Sequence, residues 1–322
     1  MKIDTLAVEL PEVVVTNDEL SDKFPKWDFQ RLENRTGVFS RHIVGSDETA
    51  FDLAVRASEK VFKSSKIGRN EVGAVLYCTQ TPDHPVPGDA ARLQNSLQLS
   101  DDKFVLDINS GCSSFPYLLH IAEGLFRTDT ARCVLVVTSD TYSRRIHPED
   151  RSTRVLFGDG AAAALIRPSE NKFLPIFGSR GDLFDRFWVK DGGAKYPIDT
   201  SLDIDKDTFI QMEGLKILSF FNSEIPRLVR DVCKKNKKKL DQIDAFVFHQ
   251  ASGTALDFIQ QALQIPDSKM IRSYKKTGNL VSASIPAALK HAQDLNHIRE
   301  GDLIMLCGFG VGLSWGATLL KL

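Results

Sequence analysis

Apolar positions in this chain repeat with two different periods, and the switching between them predicts short buried strands alternating with amphipathic helices. Val72–Thr79, Phe104–Ile108 and Cys133–Thr138 are apolar runs of strand length bounded by turn residues. Between them the spacing changes to three and four. Glu48–Phe62 reads as an amphipathic helix, Gly88–Gln98 as a second, and Leu118, Leu119, Ala122 and Leu125 mark a third that starts just after Cys112. Phe209–Cys233 is a long helix with Ile210, Leu215, Leu218, Ile225, Leu228 and Val232 on one side, and the chain closes with two strands separated by Gly308-Phe309-Gly310-Val311-Gly312. Near the start, Thr16 and Glu19 have capping-box spacing and open a helix. Three stretches resist either period: a polar one from Trp27 to Gly37 with Arg31 and Arg35, a stiff proline-rich loop from Thr81 to Pro87, and a charged loop from Thr141 to Arg154. The first of these is expected near a mouth or interface.

The pattern also repeats. The segment from Cys112 falls on the segment from Ser282 at a shift of 170 residues, pairing Ser114 with Ser284, Pro116 with Pro286, Ala122 with Ala292 and Leu125 with Leu295. A shift one residue longer lays Val72–Tyr77 on Ile243–Phe248, so strand, helix and strand recur in order. A duplicated fold follows, with halves 1–170 and 171–322 about a pseudo-twofold axis and a layered α/β/α/β/α arrangement whose middle layer holds the two equivalent helices. The charged loop has no counterpart in the second half and reads as an insertion serving function or an interface. Differences between equivalent positions mark candidate chemistry: Cys112 in one half, His249 and Asn279 in the other.

Composition narrows the class. With 322 residues and 42% hydrophobic content the chain can bury a large core, and a net charge of −1 gives no field to draw it to nucleic acid or an anionic membrane. Five cysteines without CxxC spacing fit neither a metal site nor a disulfide scaffold, which points to a reducing cytoplasm. Asp4 and Glu9 interrupt any leader-like apolar run, and no stretch approaches a membrane span, so the protein is expected to be soluble and unexported.

A cysteine at the turn into a helix faces unpaired N–H groups and the positive end of the dipole, both of which favour thiolate. Cys112, between Gly111 and Ser113, is therefore a candidate nucleophile, whereas Cys78, Cys133, Cys233 and Cys307 lie in apolar runs and read as core. His249 follows the strand Phe246–Phe248 and is either a structural donor or a catalytic group carried to Cys112 by the pseudo-twofold. Asn279, after Thr277-Gly278, reads by itself as a turn amide. The run Phe309, Gly310, Val311 and Gly312 either lets backbone N–H groups approach an oxyanion or makes a tight hairpin. Lys234–Lys239 is a solvated helix end or a docking surface for an acidic carrier. Arg31, Arg35, Arg144, Arg145, Arg151 and Arg154 point to a phosphate-bearing substrate near the mouth.

Taken with the duplication, Cys112, His249 in Phe248–Ala251, Asn279 in Thr277–Asn279 and the closing Gly308–Leu320 make the sequence similar to the thiolase superfamily, and specifically to the β-ketoacyl-acyl-carrier-protein synthase III family. The likeness covers nearly the whole chain and includes Asn34–Ile43, Asp107–Phe115 and Asp150–Leu165. It implies a thiolase-like fold, no cofactor, and a homodimer. It also implies a two-step reaction in which acyl-CoA acylates Cys112 and a malonyl thioester, on carrier protein or on CoA, loses carbon dioxide and attacks. In that scheme His249 and Asn279 hold the malonyl carbonyl, and the N–H groups of Cys112 and Val311 form the oxyanion hole. Arg31, Arg35, Arg151, Val86, Phe309, Gly310 and Gly312 would contact substrate, Val86 across the dimer. Four positions depart from the family: Arg31 stands where a tryptophan is common, Thr254 where an arginine usually meets the carrier, Val311 where the loop usually has its middle glycine, and Val86 where an aromatic gate is common. Two other readings are an acyltransferase passing the Cys112 acyl group to an alcohol or amine, and a non-catalytic partner of another ketosynthase. The full Cys-His-Asn set argues against the first and the intact Cys112 against the second.

Overall fold

A computed structural model describes residues 1–198 and 206–322 of the chain. Strands β1 (Lys2–Glu9), β2 (Ala74–Cys78), β3 (Phe104–Ile108), β4 (Val134–Asp140) and β5 (Gly160–Arg167) form one sheet in the order β1-β5-β4-β2-β3. Strands β6 (Ile176–Ser179), β7 (Ala245–Phe248), β8 (Leu303–Gly310) and β9 (Ser314–Lys321) form another in the order β7-β8-β9-β6. In the first sheet β2 runs parallel to β3 and β4, while β5 is antiparallel to β4 and β1. In the second, β7 and β8 are parallel and β9 is antiparallel to both its neighbours.

The side-chain alternation of the strands explains the layering. Ala74, Leu76 and Cys78 of β2 face inward and pack with Leu118, Leu119 and Ala122 of helix α3 (Ser114–Arg127) and Ile285, Ala288 and Leu289 of α6 (Ser284–Asp294). Val75 and Tyr77 face outward onto Leu53, Ala54, Ala57 and Val61 of α2 (Ala50–Ser64). On the far side, Phe246, Phe248 and Phe309 pack against Phe221, Ile225 and Val229 of α4 (Gly214–Lys235) and Leu256 and Ile259 of α5 (Gly253–Leu263). Helix, sheet, helix pair, sheet and helix therefore stack in five layers, and α3 and α6, which start 170 residues apart, share the middle one.

Most expected elements occur within a few residues of their expected bounds, and the Thr16–Glu19 capping box is present. Two expectations are corrected. The polar stretch from Trp27 contains helix α1 (Phe29–Thr36), capped by Asp28, whose carboxylate accepts from Arg31 N–H, and stopped by Gly37 in the left-handed region at φ 69°. The glycine run at the end is not all turn: β8 extends through Gly310, and only residues 311–313 connect it to β9. Its hydrogen bonds to β9 leave Gly308 and Gly310 inside a paired strand.

Candidate active site

Three backbone turns converge above the middle layer. Cys112 lies in the turn between β3 and α3, two residues before the helix opens, and is 4% exposed. Strand β8 runs directly against this turn. A side chain at Gly308 would stand 2.8 Å from Ser113 Cα, and one at Gly310 would stand 2.6 Å from Cys112 Cβ and 3.0 Å from Sγ, so only glycine allows the approach. The N–H groups of Cys112 and Val311 both act on the sulfur and favour thiolate. They are outweighed: burial, reinforced by the charge of Asp140, pushes the thiol well above its ordinary value. The expectation that the helix end would leave Cys112 as a ready thiolate is thus corrected, because a sulfur this deep loses more hydration than two N–H groups return.

His249 sits just beyond β7 and continues its ladder by donating N–H to Cys307 O at 2.8 Å. Gln250 locks the following turn, its side chain donating to Phe248 O and Ile271 O and accepting from Ser273 N–H. Asn279 is tied to the other half of the chain: its N–H donates to Leu156 O at 2.9 Å, and Gly158 N–H donates to its carbonyl at 3.1 Å. Its side-chain oxygen accepts from Val281 N–H at 2.9 Å, which turns the amide so that Nδ2 lies 3.3 Å from His249 Nε2. Burial brings His249 down to about 3, so the imidazole is neutral in any ordinary buffer. The Phe309 ring stands edge-on to it, with centroids 5.6 Å apart.

A cavity of about 280 Å³ joins these turns. Cys112, His249, Asn279, Phe309 and Gly310 lie on its wall, together with Arg35 and Arg151. Most of the remaining wall is apolar, with Leu156, Phe157, Phe187, Leu218, Phe221 and Ile259 prominent. Among the described residues the wall carries two guanidinium groups and no carboxylate. Other expected site residues lie elsewhere. Arg31 is exposed and off the wall: it lies one helical turn before Arg35, at the edge of the face whose Leu32, Arg35 and Thr36 meet the cavity. Val86 is 84% exposed on the proline-rich loop. Val311 reaches the site by its N–H alone, and Gly312, at φ 132°, belongs to the connecting turn. Leu218, Phe221 and Ile259 were not legible as site residues, since their apolar periodicity says only that they face inward, and Thr36 and Met212 carry no local signal of a site.

Known proteins bear on this geometry. Models of 3-oxoacyl-[acyl-carrier-protein (ACP)] synthase III match residues 106–181, and models of its C-terminal part match residues 233–322. The β-ketoacyl-[acyl-carrier-protein] synthase III of Natranaerobius thermophilus is 34% identical over 99% of this chain and 98% of its own. The chain belongs to the β-ketoacyl-[acyl-carrier-protein] synthase III family. A family member from Streptomyces coelicolor is likewise 34% identical, over 97% of this chain and 94% of its own. A crystal structure of a 3-oxoacyl-(acyl-carrier-protein) synthase III superposes with a TM-score of 0.95 at 35% identity, covering 100% of this chain and 99% of that one. The thiolase-like architecture of the family is therefore the architecture of this chain. No helix among the described residues is long and apolar enough to cross a membrane.

Proposed function

We propose that this protein is a condensing enzyme that joins an acyl-CoA primer to a malonyl thioester, through an acyl group held on Cys112, to give a β-ketoacyl thioester. The observation that carries the reading is the pairing of a buried sulfur, flanked by two N–H donors, with a neutral imidazole and an amide directed at one another in the same apolar cavity. In the first half-reaction the sulfur attacks the acyl-CoA carbonyl, His249 receives the thiol proton, and the N–H groups of Cys112 and Val311 hold the oxyanion. Collapse expels the CoA sulfur, which takes the proton and leaves as free thiol. In the second, the malonyl thioester places its carbonyl oxygen between His249 Nε2 and Asn279 Nδ2. Loss of carbon dioxide then leaves an enolate whose carbon attacks the acyl group and expels the Cys112 sulfur as thiolate, which takes up a proton from solvent to restore the thiol. Two uncharged donors suit this step, since they stabilise the enolate oxygen strongly in a dry pocket without pairing permanently with the malonate carboxylate.

Arg35 and Arg151 on the wall support recognition of a phosphate-bearing carrier, CoA or an acyl-carrier protein. The halves 1–170, with Cys112, and 171–322, with His249 and Asn279, then supply nucleophile and decarboxylation groups separately. A homodimer fits the exposed edge of the first sheet: among the described residues β3 pairs with β2 alone, leaving Phe104 and Leu106 40% and 37% exposed. The helix after the proline-rich loop is held to that same edge, Ala90 N–H donating to Asp107, and the exposed Val86 on that loop is in keeping with a contact across such a dimer.

Asn279→Ala separates condensation from simple acyl transfer. The variant is expected to take up the acyl mass on Cys112 at close to the parent rate and to release carbon dioxide from malonyl thioester about 10²–10³-fold more slowly, with Cys112→Ser as the blank that gains no mass. Undiminished carbon dioxide release would show that the amide holds no enolate and would favour transfer to an alcohol or amine.

A further inference from the structure

Asp140 ends β4 in the middle of the molecule, is fully buried, and has no part in the chemistry above. Three hydrogen bonds converge on its carboxylate. One oxygen accepts from Gln80 N–H at 2.8 Å, and the other from the N–H of Ser282 at 3.2 Å and its hydroxyl at 2.5 Å. Both partners adjoin the site. The Gln80 side-chain oxygen, which accepts from Tyr142 OH, fills the space beside Gly111, so Gln80 backs the turn that carries Cys112. Ser282 follows Val281, whose N–H holds the amide oxygen of Asn279. A single carboxylate therefore joins the Cys112 turn of one half to the Asn279 turn of the other.

We propose that Asp140 is a positioning residue that keeps these two turns in register and sets a buried carboxyl behind the turn that carries Cys112. The proposal rests on Cys112 as nucleophile. No salt bridge among the described residues reaches Asp140, and the titratable groups facing it are Tyr77 and Cys78 of β2, Tyr142 after β4, Asp159 before β5 and Cys112 itself. None of them is a cation. Burial brings the Asp140 carboxyl up to about 7, so it is neutral in mild acid and negative above, where its charge opposes a second negative charge on the sulfur.

The test is the rate of iodoacetamide labelling of the Cys112 peptide in the full-length protein between about pH 5.5 and 9, read by mass spectrometry. A lone thiol gives a tenfold rise per pH unit. The parent protein should instead rise less steeply around pH 7, with a total offset of about tenfold, equivalent to one unit of thiol acidity. Asp140→Asn should restore the tenfold slope and label about tenfold faster above pH 8. Ser282→Ala keeps the charge but removes a donor to it, so its curvature should persist at higher pH while kcat for condensation falls several-fold at unchanged labelling of acyl-free Cys112 in mild acid. A straight tenfold slope in the parent overturns the electrostatic part without any variant, and superimposed parent and Asp140→Asn profiles do so again. Unchanged kcat in Ser282→Ala overturns the positioning part. His249 titrates near 3 and stays outside this window. Labelling needs no acyl transfer, so its outcome is separate from that of the condensation reading.

Discussion

Gly310→Ala probes the contact on which the whole site depends. The added methyl would stand 2.6 Å from Cys112 Cβ and 3.0 Å from Sγ, about an ångström inside ordinary contact. Neither side can easily withdraw: Gly310 is in register with Ser314 across β8 and β9, and the Cys112 turn is backed by Gln80 through Gly111. Relief must come from shifting the sulfur or bending the strand. Overpacking of this kind costs about 1–3 kcal/mol, which in a chain of this size lowers the melting temperature by roughly 2–4 °C per kcal/mol. The kinetic effect is larger, because a displacement of about 1 Å at a reacting atom costs on the order of 10²-fold. Rapid mixing with acyl-CoA, acid quench and intact-mass spectrometry give the rate at which Cys112 gains the acyl group. Gly310→Ala should acylate about 100-fold more slowly and melt several degrees lower. Gly124, inside α3 with nothing within 4 Å of a new methyl, is the control: alanine there should leave acylation unchanged and stabilise by about 0.5–1 kcal/mol. A Gly310→Ala protein that acylates and melts like its parent would refute the reasoning.

Two more outcomes are open to measurement. His249, held near 3 by burial, stays neutral in the folded chain while the unfolded chain takes up the proton near 6.5, so the stability that the neutral ring allows is complete above about 6.5 and is lost as pH falls toward 3. Urea titrations of His249→Gln should show a shallower loss across that range, and acid limbs parallel to the parent would contradict the assignment. Leu106→Lys, on the exposed edge of β3, should lower the sedimenting mass from two chains to one, and a parent that sediments as a monomer would remove the dimer reading.

Helix and strand periods, the capping box at Thr16 and the internal repeat were legible because they depend on neighbours in sequence, and so the layering and the recurrence of α3 as α6 could be read before any coordinates. Cys112, His249 and Asn279 could be singled out for a related reason, as the places where equivalent turns of the two halves differ. Helix α1 was missed because its apolar face is narrow, with Thr36 its only buried residue, although the Asp28 cap and Gly37 stop were there to be read. Arg31 was included as one of the guanidinium groups of the Cys112 half and for its place four residues before Arg35, and only the packing of α1 on the protein leaves Arg35 on the cavity wall and Arg31 off it.

What the linear order could not contain is depth. The helix-end argument for an acidic Cys112 was sound locally, yet the acidity of a thiol depends on hydration and on charges brought from distant strands, here Asp140 of β4. The 3.3 Å approach of Asn279 to His249, the fit of Gly310 against the sulfur and the Ser282–Asp140 link all join residues 30 or more apart in sequence. Sequence alone determined which side chains could carry the chemistry and on which elements they ride. Tertiary packing decided which of them meet, which are charged and which face water, because hydration, Coulomb forces and steric fit act through space and not along the chain.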